Sequence, residues 1–200
     1  MIIFGLGNPG LRYRFTRHNA GHVLVERLAR RYRKKFLRRK GYTISCINIM
    51  HREIRLIKPR CWMNQCGRSV RAITRDDRDE FMVVVDDINL PVGRARLRGG
   101  GSDGGHRGLR SIIDELQTDD FSRLRLGVGR PDSDARDYVL QRFMVGERRI
   151  LLKVVDEAIK GIQILVEYGL EKAQNHINSI DIRDIDQMKQ NKKNEGHPGT

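Results

Sequence analysis

His18 lies in a polar stretch, Thr16-Arg17-His18-Asn19-Ala20-Gly21, just ahead of a segment with helical spacing. An imidazole in such a loop is reachable, and its neighbours can fix its tautomer. General-base work also needs a carboxylate or carbonyl on the other ring nitrogen. A suitable carboxylate ends the apolar run Val83-Val84-Val85, where Asp86 and Asp87 stand side by side before Ile88-Asn89-Leu90-Pro91. Either acid is equally suited to capping a turn. Asn64, in Trp62-Met63-Asn64-Gln65, offers an amide that donates and accepts without titrating, or else a helix N-cap.

Two glycine-rich segments invite a phosphate-binding reading and resist it. Gly5-Leu6-Gly7-Asn8-Pro9-Gly10 fits the dinucleotide fingerprint after a strand, but no helix opens at the third glycine. No strand ending in an acid follows about twenty residues later, since Glu26 falls inside a helical pattern. The second segment, Gly99 to Leu109, lacks the Gly-Lys-Ser/Thr ending of a Walker loop. Its glycines instead allow backbone to approach a ligand closely.

The elements that must position these groups follow from periodicity. Ile2 to Leu6 and Phe81 to Val85 read as buried strands, the latter as a central parallel one. His22 to Lys35 has an apolar helical face, Tyr42 to Met50 and Glu53 to Ile57 read as paired strands, and Asn64 to Thr74 as a short helix. Arg94 to Arg98 alternates to give one basic face, and Arg123 to Gly129 alternates again. Gly104 to Leu116 turns from glycine-rich to helical, and Glu147 to Ala173 is a long amphipathic region broken near Gly161 and Gly169. The alternation of strands and helices predicts an α/β fold. The expected form is a single-domain three-layer sandwich with a mixed, largely parallel twisted sheet flanked by helices.

The 200 residues suit one domain over 1–180, followed by a basic, polar tail over 181–200 that cannot bury enough surface to order itself. The formal charge is +14, from 39 basic against 25 acidic residues, and nine of the fourteen residues from Arg27 to Lys40 are basic. A field of this size attracts polyanions, nucleic acid first and an anionic membrane surface second. Cys46, Cys61 and Cys66 form no CxxC pair and no zinc-like cluster, which predicts reduced thiols in a cytoplasmic setting. The N-terminal residues follow no export pattern and no stretch is long and apolar enough to span a bilayer.

Taken in order, these segments resemble the bacterial-type peptidyl-tRNA hydrolases from about Ile2 to about Asn175. The matching motifs are Gly5 to Gly10 with Tyr13, Thr16 to Gly21, Met63-Asn64 with Gly67, Asp86 to Pro91, Gly104 to Leu109, Arg123 to Gly129 and Tyr138-Val139-Leu140. The resemblance implies hydrolysis of the ester between a peptide and the terminal ribose of tRNA. In it His18 is the base that activates water and Asp86 the acid that orients it. Asn8 and Asn64 hold carbonyl, water or developing oxyanion, Tyr13 and Met63 shape the cleft wall, and His106 and Arg107 fall among the substrate-binding positions. Arg98 and Arg125 fall where the family clamps the 5′-phosphate and acceptor stem. The resemblance implies no cofactor and no metal; a monomer is the default expectation, and a non-catalytic RNA-binding relative of the same fold is the alternative.

Two positions depart from the family pattern. Arg107 stands where asparagine is usual after Gly-Gly-His, and Asn89 replaces the second acid of Asp-x-x-Asp-Leu-Pro.

Overall fold

The computed structural model describes residues 1–74, 80–131 and 134–182. Seven strands form one sheet in the order β2-β3-β4-β1-β5-β7-β6. They are β1 (Ile2–Gly5), β2 (Leu37–Arg39), β3 (Tyr42–Ile49), β4 (Arg52–Pro59), β5 (Phe81–Asp87), β6 (Ala95–Arg98) and β7 (Ser122–Gly127). The four central strands, β4, β1, β5 and β7, run parallel. The hairpins β2–β3 and β3–β4 and the edge pair β6–β7 are antiparallel. The mixed, mostly parallel sheet is the one expected.

Alternation along the buried strands builds a core on each face. Ile3, Met82 and Val84 point to one side and pack with helices α1 (Ala20–Arg31), α5 (Val145–Tyr168) and α6 (Leu170–Asn178). Ile2, Phe4, Val83 and Val85 point to the other and pack with α2 (Cys66–Ile73) and α3 (Arg107–Leu116). Strands apolar on both faces are what a sheet covered by helices on both sides requires. A short helix, α4 (Ala135–Leu140), lies against the 3-10 turn Arg17–Asn19.

Close backbone approach, not phosphate, explains the first glycines. A Cβ on Gly21 would sit 2.3 Å from Val84 O and 2.6 Å from Leu6 N, and one on Gly5 would sit 2.4 Å from Gly21 O. These glycines let the start of α1 lie directly on β1 and β5, which brings His18 to the carboxyl ends of both strands.

Several boundaries differ from the sequence-based expectations, each for a tertiary reason. α1 begins at Ala20 and ends at Arg31, because the chain turns at Arg33 with φ 55°. Gly161 does not interrupt α5. It is the crossing point with α6, where a Cβ on Gly161 would sit 2.2 Å from Ile177 Cγ1. Only Gly169, at φ 88°, breaks the helix. Arg123, expected on a basic alternating face, is 1% exposed. Its guanidinium stacks 4.3 Å from the Phe121 ring and donates to the carbonyls of Gly101, Ser102, Asp119 and Phe121, tying the glycine-rich loop to the sheet. Asp181 and Ile182, placed with the tail by composition, are packed: Ile182 is 5% exposed and Asp181 pairs with Arg94. The rest of that tail, 183–200, lies outside the described residues.

Candidate active site

The carboxyl ends of β1 and β5 open into a cleft of about 330 Å³. Asn8, Tyr13, His18, Met63, Asn64, Asp86, His106, Arg107 and Arg125, nine of the ten site residues expected from sequence, all line it. The tenth, Arg98, is exposed on the edge strand β6, opposite Arg123, and stands outside the cleft.

Asp86 is the centre of the floor. It ends the apolar strand β5 and is 2% exposed. His18 Nδ1 lies 2.9 and 3.0 Å from its two carboxylate oxygens, and His106 Nε2 lies 3.1 Å from Oδ1. Burial by itself works against the charged carboxylate, but the two imidazoles facing it outweigh that and hold its pKa below the usual range. Asp86 is therefore the acceptor, His18 Nδ1 carries the proton, and the His18 Nε2 lone pair is left to act as a base. His106 is fixed in the same way from its far side. Its Nδ1 accepts from the N–H groups of Gly108 and Leu109, capping α3, so its Nε2 must donate to Asp86. Both ring nitrogens of His106 are thus engaged within the protein.

The three groups are the one set of His, Cys, Asp or Glu ligand atoms among the described residues that lie close enough together, within 4.8 Å, to consider for a metal ion. Their N···O contacts of 2.9–3.1 Å have hydrogen-bond lengths, and His106 Nδ1 is already satisfied by backbone N–H groups. The donor set is arranged as a proton-holding relay.

The turn carrying His18 is locked from two sides by residues that sequence reasoning did not single out. Arg17 is 4% exposed, and its Nη2 donates to both carboxylate oxygens of Glu147, at 2.8 and 2.9 Å. It also donates to Val128 O at 2.8 Å and lies over the rings of Tyr138 and Phe143. Asn19 grips the Asn8 backbone twice, accepting from Asn8 N at 2.9 Å and donating to Asn8 O at 3.0 Å. Its position directly after His18 was the available signal. Asn19 is in turn 3.3 Å from His22 Nδ1. Burial, with help from Lys58, pushes the His22 pKa down to about 3, so this imidazole is neutral and can accept.

Asn8 spends its side-chain oxygen on the Met63 N–H at 3.1 Å, leaving its Nδ2 donors for the cleft. Asn64 is exposed and makes no cap, since the helix begins at Cys66 with no side-chain capping bond. Tyr13 meets Trp62 edge to face at 5.9 Å, making one wall from two segments. Arg125, which also lines the cleft, pairs with Asp87 at 3.2 Å and donates to Ser102 O at 2.8 Å. Arg107, at the first turn of α3, is exposed on the rim and has no ion pair or hydrogen bond from its guanidinium among the described residues.

The family model described as peptidyl-tRNA hydrolase matches residues 2–190 of this chain. The chain belongs to the peptidyl-tRNA hydrolase family. It is 42% identical over 184 residues to a peptidyl-tRNA hydrolase of Fervidobacterium nodosum, covering 91% of this chain and 98% of that protein. It is 38% identical to the Mycobacterium tuberculosis peptidyl-tRNA hydrolase, covering 90% and 97% of the two chains. The crystal structure of the Acinetobacter baumannii peptidyl-tRNA hydrolase superposes with a TM-score of 0.85 at 33% identity, over 90% of this chain and 95% of that one.

Proposed function

We propose that this cleft hydrolyses the ester between a peptide, or an N-blocked aminoacyl group, and the terminal ribose of tRNA, returning the tRNA to use. The observation that carries this is the His18–Asp86 pair, whose geometry leaves one imidazole nitrogen free as a base at the mouth of a cleft. His18 Nε2 takes a proton from water, which attacks the ester carbonyl. The buried Asp86 carboxylate steadies the imidazolium that forms, and His106 keeps that carboxylate in place. The Asn8 Nδ2 group and the exposed Asn64 amide supply hydrogen-bond donors for the carbonyl oxygen as it becomes an oxyanion. Once the tetrahedral species collapses, the ribose oxygen leaves and takes the proton held on His18.

Tyr13, Trp62 and Met63 form the apolar wall for the acyl chain. Arg125 at the cleft and Arg98 on the sheet edge, with Arg96 beside it, present cations along the route an acceptor stem takes toward its CCA end. Such contacts read phosphate spacing, not sequence. No helix among the described residues is long and apolar enough to cross a membrane. The enzyme works, in this reading, as a monomer in the cytoplasm.

The test is release of the blocked amino acid from an N-blocked aminoacyl-tRNA, with His18→Ala alongside. Release by the native chain and its collapse in the variant support the reading. Binding of tRNA without release would replace it with a non-catalytic RNA-binding role.

A further inference from the structure

Two of the three cysteines, five residues apart in sequence, face each other directly behind the cleft wall. Cys61 Sγ and Cys66 Sγ are 3.7 Å apart, in contact but not bonded. Cys66 opens α2 and is 0% exposed, whereas Cys61 is half-buried and reachable. The chain between them is Trp62-Met63-Asn64-Gln65, which contains three residues of the cleft lining.

We propose that Cys61 and Cys66 are a peroxide-oxidisable dithiol whose closure to a disulfide displaces this wall and lowers hydrolysis. Cys61 is the attacking thiol. The hydrogen bond from Cys66, and then that of Ser69 Oγ at 3.4 Å, favour its thiolate and bring its pKa to about 7 against the opposing effect of burial. Cys66 responds in the opposite direction, its own pKa raised well above the ordinary value by the bond to Cys61 and by burial, which suits it to remain a thiol until its partner is oxidised. The thiolate attacks one oxygen of a peroxide, the O–O bond breaks, and a sulfenic acid forms as hydroxide leaves and is protonated to water. Cys66 sulfur then attacks the Cys61 sulfur; the S–S bond forms, the S–O bond breaks, and the hydroxyl departs as water with the Cys66 proton. Two thiols lose two electrons to one peroxide, and two waters result.

Closure carries the sulfurs from 3.7 Å to about 2.05 Å. Cys66 is anchored in the core beside Val70 and Leu109, so the proposal assigns the movement to Cys61 and the turn after it. That turn holds Asn8 through the Met63 N–H at 3.1 Å. A displacement beyond an ångström takes that bond out of range and shifts the Asn8 donors.

The inference rests on the proposed hydrolysis for its activity readout, but the cross-link itself is read independently by mass. The full chain is treated with stoichiometric hydrogen peroxide and digested without reductant. The expected product is a single peptide spanning Cys61 to Cys66 that is lighter by two hydrogens and resists thiol alkylation, with kcat/KM lowered at least roughly fivefold and restored by dithiothreitol. Cys61→Ser, which alters the reachable member and spares the core, keeps its activity through the same treatment, as does Cys66→Ala. Cys46→Ser behaves as the native chain. Absence of the two-hydrogen loss from that peptide overturns the proposal, as does a quantitative cross-link with unchanged kcat/KM. Equal loss of activity in Cys61→Ser overturns it too, since the damage would then lie elsewhere, with oxidation of Met63 the first place to look.

Discussion

At the floor of the cleft every side-chain polar atom of Asp86 and His106 is engaged by a neighbour, and His18 keeps one nitrogen without a partner among the described residues. At the rim, Trp62, Asn64, Arg107 and Arg136 are exposed, and the Arg107 guanidinium has no partner among the described residues. In the proposed mechanism the floor serves one proton transfer, and its groups, already held in place, lose little freedom as charge develops. In the proposed reading the rim is where a large polyanion binds in high dielectric, and there single contacts contribute little and add up through number. The two regions differ in what a substitution should cost and in which kinetic constant reports it.

The largest effect belongs to the floor. His18→Ala and Asp86→Asn are expected to lower kcat by about 10²–10⁴ with KM for tRNA nearly unchanged. A parallel rise in KM would mean that these groups also hold the ground state, and the division between floor and rim would fail.

The scaffold under the floor comes next. Gly21→Ala places a methyl 2.3 Å from Val84 O, a collision with backbone that no rotamer relieves. Unfolding free energy should fall by roughly 2–3 kcal/mol, read from urea midpoints. An unchanged midpoint would show that α1 can lift from β1 and β5 without loss.

Acid tests the same support. His22 has a folded pKa near 3 against an ordinary 6.5, so between these values the unfolded chain binds a proton that the native chain refuses. Stability is therefore present above pH 6.5 and is lost as pH falls toward 3, by up to about 1.4 kcal/mol per pH unit from this group. His22→Gln keeps an acceptor for Asn19 and should flatten the acid limb relative to the native chain. Superimposable limbs would sink the idea that His22 stays neutral.

How much of this was legible in the sequence follows the same division. Ile2 to Leu6 and Phe81 to Val85 announced buried strands because both faces are apolar, and His18 in its polar loop and the paired acids after Val85 announced chemistry, while Asn8 was reached only through the family resemblance. Which acid held His18 did not follow from the local pattern, since Asp86 and Asp87 are neighbours; only the fold turns one to His18 and the other to Arg125. Arg17, Arg123 and Glu147 were illegible for a further reason. Arg17 and Glu147 are 130 residues apart, and in charge alone each looks like a solvated surface group. Cys61 and Cys66 likewise looked unrelated until the turn between them set their sulfurs in contact.

At the rim, Arg98→Ala and Arg125→Ala should each raise KM for tRNA and reduce the salt slope of binding by about 1, with kcat little changed for Arg98. Arg125 also pairs with Asp87 and supports Ser102, so its loss should lower kcat somewhat as well. An unchanged slope in both would remove the phosphate clamp from the account.

Arg107 gives the smallest expected change and the sharpest test of the comparison. It occupies a position where the family resemblance leads to the expectation of asparagine, at the border between floor and rim, directly after the floor residue His106. If it belongs to the rim, Arg107→Asn changes kcat/KM by less than about tenfold, or 1.4 kcal/mol, and any change appears in KM and fades at high salt. A charged guanidinium in contact with the oxyanion would give a different result. Arg107→Asn would then lower kcat beyond tenfold at every salt concentration, because a contact made only in the transition state leaves KM untouched. The side chain's exposure and its lack of partners among the described residues favour the first outcome: a donor not held in place by them has to be ordered by the substrate, and the cost of ordering it offsets much of what it contributes.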